Sequence, residues 1–487
     1  MAVTDEQISR VLNAVPKGLL IGGKWISTEQ TVPVEDPSTG EVIASVADAS
    51  PEQGIEALDA AVAASAEWAA TDPRTRSEIL RRAFELLTER SEDIALVMTL
   101  EMGKPLAEAR GEVSYGAEFF RWFSEEAVRI AGRFSIAPSG GTRLLTMKQP
   151  VGPVYAITPW NFPLAMGTRK IGPALAAGCT VVIKPAAQTP LTTLALAAVL
   201  IEAGLPDGVL NVITTSSSGT VSAPIIADPR LRKLTFTGST AVGQKLIAQS
   251  AQQVLKVSME LGGNAPFLVF GDADLGRAVD GAMLAKMRNI GEACTAANRF
   301  IVHESVAAEF SARLAERMGA MIIGRGITDG VTVGPLVDAA AVDKVTELVD
   351  DAVGKGAAVV TGGTALPGKG HFYPPTVLTG VLTSAKVFRE EIFGPVAPII
   401  TFDTDQDGID KANDTEFGLV AYAFTENLTR ALTVAERLET GMVGINQGIV
   451  SNPAAPFGGV KASGLGREGG TEGIEEYLET KYVGIKL

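Results

Sequence analysis

From residue 152 onward, short β-rich apolar runs alternate with longer stretches whose apolar residues recur every three or four positions. Val154-Tyr155-Ala156-Ile157 leads into a predicted helix over 164–177, and Val181-Val182-Ile183 into one over 191–203. Strand-like residues 209–213 and 233–236, a helix over 240–250 and residues 254–259 continue the alternation. A second run of the same kind spans about 266–402, and within it a helix over 274–287 puts Leu275, Val279, Ala282, Met283 and Met287 on one face. Repeated strand–helix–strand units of this size predict an α/β protein whose parallel sheets carry helices on both faces.

The first 150 residues follow another pattern. Residues 19–50 set Ile21, Trp25, Ile26, Val32 and Val34 around Gly22-Gly23 and a Pro37-Ser38-Thr39-Gly40 turn, which predicts a β-hairpin region. Ser50-Pro51-Glu52-Gln53 has the form of a capping box with Pro at the first helical position, followed by Ile55, Leu58 and Val62 at helical spacing. A helical arm over about 74–126 comes next. Residues 142–149 and 481–487 look like strands that belong to neither α/β run; such strands fold back on their own chain or pair across a subunit interface.

Composition narrows the function classes. The 487 residues are 46% hydrophobic and 20% charged with 52 glycines, as in a globular protein of roughly two to four domains. A net charge of −14 argues against nucleic acid, which needs clustered Lys and Arg. Residues 1–18 are polar and lack the apolar core of a secretory signal, while the longest apolar stretch, 191–205, is broken by Glu202 and too short for a bilayer of ~30 Å. The expectation is a cytoplasmic protein with no membrane partner. Two cysteines and two histidines, Cys179, Cys294, His303 and His371, make neither a disulfide framework nor a metal site, and they leave little room for a Ser-His-Asp triad.

The remaining chemistry centres on Cys294, in Gly291-Glu292-Ala293-Cys294-Thr295, a setting that suits a working thiolate; a lone cysteine is otherwise usually an inert buried one, as Cys179 reads. Glu260 ends an apolar strand before Gly262-Gly263, so desolvation should raise its pKa toward that of a general base, although a strand-end Glu is more often a surface residue. Asn161, between two prolines in Pro159-Trp160-Asn161-Phe162-Pro163, offers an N–H to a developing oxyanion or simply forms the turn. Gly238-Ser239-Thr240-Ala241-Val242-Gly243 joins a strand to a helix like a phosphate-approaching turn without the GxGxxG fingerprint, and Lys184-Pro185-Ala186 brings a cation to the same sheet edge.

These motifs, with Glu391-Ile392-Phe393-Gly394-Pro395 and Pro456-Phe457-Gly458-Gly459, resemble the aldehyde dehydrogenase superfamily in kind and order from about residue 22 to the C-terminus. The resemblance implies a Rossmann-like parallel-sheet cofactor domain (1–127 and 151–259), a second α/β catalytic domain (260–470) and a small β bridging or oligomerisation element (128–150 and 471–487), assembled as a homodimer or homotetramer. It implies that Cys294 attacks an aldehyde, Asn161 and the Cys294 backbone N–H hold the oxyanion, and Glu260 activates the water that hydrolyses the thioester. Lys170 and Glu468 would relay the proton. Thr158, Pro159, Trp160, Lys184, Ala186, Ala187, Gly238, Ser239, Gly243, Glu391 and Phe393 would bind the nicotinamide cofactor.

Residues 160–170 and Lys286-Met287-Arg288-Asn289 are similar to succinate-semialdehyde dehydrogenases, which implies a carboxylate-bearing aldehyde held by Arg169, Arg288 and Ser451, with Phe457 in the same pocket. As a helix C-terminal charge, Arg288 also has a plainer reading. Ala187 stands where NAD-preferring relatives carry a Glu, which implies use of NADP, alone or beside NAD. Ala296 stands where many members have a second cysteine, so no disulfide is expected over the site; Glu292 replaces the usual Gln, and Asn452-Pro453-Ala454 departs from the usual loop. A broad-range or glutarate-semialdehyde dehydrogenase, a thiol-dependent esterase or thioesterase, and a silent binding protein are the competing readings.

Overall fold

The alternating runs build two large sheets in a computed structural model that describes residues 3–486. Residues 1 and 2 of the expected first unit and Leu487 of the expected tail strand lie outside the described residues. The first sheet has the order Lys24–Ile26, Leu19–Ile21, Leu210–Val212, Val181–Lys184, Val154–Ile157, Lys233–Thr237, Lys256–Glu260, Gly464–Leu465. Its five middle strands are parallel, and the outer ones are antiparallel. The chain starts the parallel set at Val154–Ile157, adds two strands on one side, then returns to add Lys233–Thr237 on the other. That reversal opens a crevice beyond the carboxyl ends of these two strands, where α/β sheets bind ligands.

The second sheet runs Ala358–Thr361, Thr376–Thr379, Val396–Phe402, Ala297–His303, Ala265–Val269, Val420–Phe424, Met442–Ile445, parallel except for its first pair. Helix Leu275–Met287 covers it with Val279, Ala282 and Met287 buried, as the spacing predicts. Gly464–Leu465, expected with this second unit, pairs instead with Met259 and Glu260 of the first.

The two orphan strands pair with each other. Thr142–Pro150 and Leu478–Lys486 run antiparallel in continuous register from Pro150↔Leu478 to Thr142↔Lys486, with Arg133–Ile136 on the far edge. At the N-terminal end two hairpins form, Leu19–Ile21 with Lys24–Ile26 and Thr31–Asp36 with Glu41–Ala47. Helix Pro51–Ala70 starts on the expected box: Ser50 Oγ accepts from Gln53 N, and Gln53 Oε1 accepts from Ser50 N at 3.0 Å.

The helical arm comprises Pro73–Glu89, Ser91–Met102 and Leu106–Ala127. The last lies close along Ala165–Ala177, where a Cβ on Gly172 would meet Phe123 and Phe120 at 3.2 and 3.3 Å. This contact carries the arm to the turn that holds Asn161. Helices Asp5–Ala14, Ser218–Ala227, Asp405–Asn413 and Leu428–Arg437 escape the periodicity reading; only Val11 is buried in the first, and the second contains Pro224.

Candidate active site

A cavity of about 360 Å³ occupies the crevice, lined by Pro159, Trp160 and Asn161 after one central strand, Gly238 and Ser239 after the other, and Cys294, Glu391 and Phe393 from the second sheet's side. Cys294 keeps exposed surface while Ala293 and Thr295 beside it are buried. Three successive left-handed residues, Asn289, Ile290 and Gly291, turn the chain from helix Leu275–Met287 toward it. Gly291 is required there: a Cβ would sit 2.3 Å from Gly394 O. Gly263 is required in the same way, 2.5 Å from Cys294 O.

Burial pushes the Cys294 thiol up to about 12; Arg169 pulls it down, and Glu391, Glu260 and Glu468 add to the rise. Desolvation and the neighbouring carboxyls thus work against the ready thiolate expected from the sequence, and Arg169 works for it.

Asn161 Nδ2 donates to Glu292 O at 3.0 Å, which leaves its second N–H unassigned, and its backbone O accepts from Lys104 Nζ at 2.8 Å and Asn289 Nδ2 at 3.1 Å. Glu260 is 2% exposed, and neither carboxyl oxygen has a hydrogen-bond partner among the described residues. Burial first, then the charge of Glu468, raises it well above the usual carboxyl range against the pull of Arg169 and Lys170. The desolvation of Glu260 expected from the sequence pattern is present.

Burial alone would raise Glu468, but Lys170 and Arg169 overcome it and hold the group low. Lys170 Nζ donates to Glu468 Oε1 at 2.5 Å and to Thr235 Oγ1 at 3.2 Å. Arg169 lies 2.6 Å from Glu468 Oε2, an ion-pair distance whose direction does not make a well-formed hydrogen bond. Its guanidinium also sits 3.9 Å over the Phe457 ring. Arg169 is thus occupied by Glu468, and its expected place as a free carboxylate binder is not what the geometry gives.

Arg288 is different. It is half-buried, rests 5.0 Å over Phe162 and 5.5 Å over Tyr115, and has no ion-pair partner among the described residues. With Ser451, Ala293, Thr295 and Tyr422 it lines a narrow space beside the thiol loop.

On the cofactor side, Trp160 and Phe393 meet edge-to-face with centroids 5.4 Å apart, and Phe393 holds a left-handed φ of 56°. Glu391 Oε1 accepts from Gly263 N at 3.0 Å. Thr158, Lys184, Ala186, Ala187 and Gly243 follow or lie near the same strand ends but do not line the cavity. Lys184 is buried, and burial lowers it to about 8; its ammonium donates only to Pro185 O. Gly243 keeps the helix Thr240–Ser250 against Leu261, whose side chain a Cβ would meet at 2.3 Å.

Sequence reading misses Lys104, Glu112, Tyr115, Asn289 and Lys344. No local motif marks Lys104, Glu112 or Tyr115, which reach the site only through tertiary packing; Asn289 stands in the Lys286–Asn289 motif with no role read for it, and Lys344 lines the cavity from helix Ala339–Gly354.

Comparison with known proteins identifies the family. A succinate-semialdehyde dehydrogenase of Paenarthrobacter nicotinovorans is 60% identical over 91% of this chain and 99% of its own. A glutarate-semialdehyde dehydrogenase of Pseudomonas aeruginosa is 50% identical over 95% and 96%. The crystal structure of an E. coli NADP-dependent enzyme superposes with a TM-score of 0.96 at 50% identity, covering 98% of this chain and 99% of that one. No helix among the described residues is long and apolar enough to cross a membrane. With the profile of the aldehyde dehydrogenase family matching residues 25–483 as well, the chain belongs to the aldehyde dehydrogenase family.

Proposed function

We propose that this protein oxidises succinate semialdehyde to succinate with NADP or NAD, through a covalent intermediate on Cys294. The observation that carries the reading is the convergence of Cys294, Asn161, Glu391 and Phe393 on one cavity, with the unpaired Arg288 beside the thiol loop. Cys294 Sγ attacks the aldehyde carbon, and its proton passes to a base. Glu260 is the buried carboxyl without a partner whose charge bears on the thiol. The Asn161 amide and the Cys294 N–H hold the oxyanion. When bound, the nicotinamide supplies the hydride acceptor, and Glu260 then activates the water that hydrolyses the thioester. Lys170 and Glu468 carry the proton away.

The cavity fits such a cofactor: Trp160 and Phe393 give flat apolar faces, Glu391 a ribose acceptor, and the start of helix Thr240–Ser250, with no side-chain cap, free N–H groups for phosphate. Lys184, and Ala187 in place of an acidic residue, favour a 2′-phosphate. Residues 1–127 and 151–259 then form the dinucleotide domain, 260–470 the catalytic domain, and 128–150 with 471–487 the oligomerising element. Phe134, Ile136 and Tyr482, exposed at 65%, 58% and 60% on the three-stranded sheet, support a homodimer or homotetramer. Two free thiols suit the reducing cytoplasm. The Pseudomonas relative favours a second reading, glutarate semialdehyde, one methylene longer.

Mixing Glu260→Gln protein with aldehyde and NADP tests the covalent route. A slowed single turnover of reduced cofactor and an acylated Cys294 peptide are expected, since Glu260→Gln loses the base for the thiol as well as for the water. Full turnover with an unmodified peptide would refute it.

A further inference from the structure

The buried polar groups behind the Asn161 turn include an ion pair that the mechanism above does not use. Lys104 and Glu112, each 1% exposed, pair side chain to side chain. The three N–H groups of Lys104 have three takers: Glu112, the Asn161 backbone O at 2.8 Å, and the Phe162 ring, 4.3 Å from Nζ to its centroid. Glu112 Oε1 accepts from Leu164 N at 2.9 Å and Ala165 N at 3.1 Å, at the start of helix Ala165–Ala177. The pair therefore grips the turn at its middle and at its helical end. From the opposite side Asn289 Nδ2 donates to Asn161 O and to Glu292 O, the same carbonyl that receives the Asn161 side chain at 3.0 Å.

We propose that Lys104 and Glu112 are positioning residues that aim the Asn161 amide at the oxyanion formed on Cys294. A buried ion pair adds little net stability over apolar residues of similar size, so stability alone does not account for one here. What this pair does supply is a fixed orientation. Lys104 pins the Asn161 carbonyl, Glu112 pins the helix start, and between them the peptide plane carrying Asn161 has no freedom to rotate. With Glu112 balancing its charge, Lys104 acts through Asn161 and not as an electrostatic catalyst of its own.

The inference rests on the assignment of Asn161 to the oxyanion, and a double-mutant cycle separates the two. We would measure kcat, the NADP dissociation constant and the Cys294 alkylation rate for the native enzyme, Lys104→Met, Asn161→Ala and the double variant. Lys104→Met should lower kcat by about tenfold or more, since a misaimed group costs up to ~100-fold. The other two quantities should hold steady, and in the Asn161→Ala background Lys104→Met should have almost no further effect on kcat. An equal fall in both backgrounds overturns the positioning role. A full-rate Asn161→Ala enzyme instead overturns the oxyanion assignment, and the inference with it. Should Lys104→Met fold poorly, the apolar pair Lys104→Met/Glu112→Leu decides: thermal stability recovered with kcat still low supports the proposal, and recovery of both refutes it.

Discussion

Glu468 lies against Lys170 at 2.5 Å, both side chains buried, and its charge bears on the unpartnered carboxyl of Glu260. Burial first and Glu468 second keep Glu260 high, while Arg169 and Lys170 work to lower it. In the role proposed for it Glu260 works only when ionised, so turnover should rise with pH through its pKa. Glu468→Gln removes a repulsion and frees two cations to act on Glu260, and both changes lower its pKa. The acid limb of the kcat profile should move to lower pH; a limb that stays or moves upward contradicts the assignment.

Arg288 and Arg169 should separate cleanly. Arg288 has no ion-pair partner among the described residues and lines the space beside Ser451, so Arg288→Ala should lower kcat/KM for an acidic aldehyde far more than for a neutral one. A charged hydrogen bond of about 1.5–3 kcal/mol sets the scale, roughly ten- to a hundredfold. Arg169→Ala breaks a buried ion pair and should lower stability by about 3–5 kcal/mol. Steady-state kinetics with both aldehydes and thermal unfolding check the pair of expectations.

Cofactor choice should depend on pH through Lys184. Burial lowers this lysine to about 8, so its cation is present below that pH and lost above it. KM for NADP should climb above pH 8 while KM for NAD stays level, and Lys184→Met should remove the difference. Ala187→Glu should raise KM for NADP selectively. Parallel pH curves for the two cofactors would rule Lys184 out.

The two thiols should differ in reach. Cys179 is 1% exposed, burial pushes it up to about 11, and its Sγ donates to Tyr477 O at 3.3 Å. Cys294 opens on the cavity. A disulfide-exchange reagent should titrate one thiol in the native protein and two in denaturant. With Cys294 held near 12 in the free enzyme, its alkylation rate should keep rising through pH 9 without a plateau. A plateau near neutrality would mean that the thiolate is already formed.

Much of this fold is written locally. The Ser50–Gln53 box, helix Thr240–Ser250 and the strand ends that carry Asn161, Gly238 and Glu260 are each set by a few adjacent residues. Relations across the chain are not. Lys170 and Glu468 stand 298 positions apart, Lys104 and Asn161 57 apart, and the pairing of the two orphan strands spans more than three hundred residues. The family resemblance marks Arg169 as a cation near the substrate, but only packing reveals that Glu468 already takes it. Likewise the thiol pKa depends on carboxyls brought in by distant strands, which the residues flanking Cys294 do not encode.

The most direct measurement is the initial rate of nicotinamide reduction with succinate semialdehyde against butanal, its uncharged counterpart of equal chain length, with both cofactors present. A strong preference for the acid is expected in the native enzyme, with loss of that preference in Arg288→Ala. Equal rates for the two aldehydes in the native enzyme would contradict a carboxylate site at Arg288.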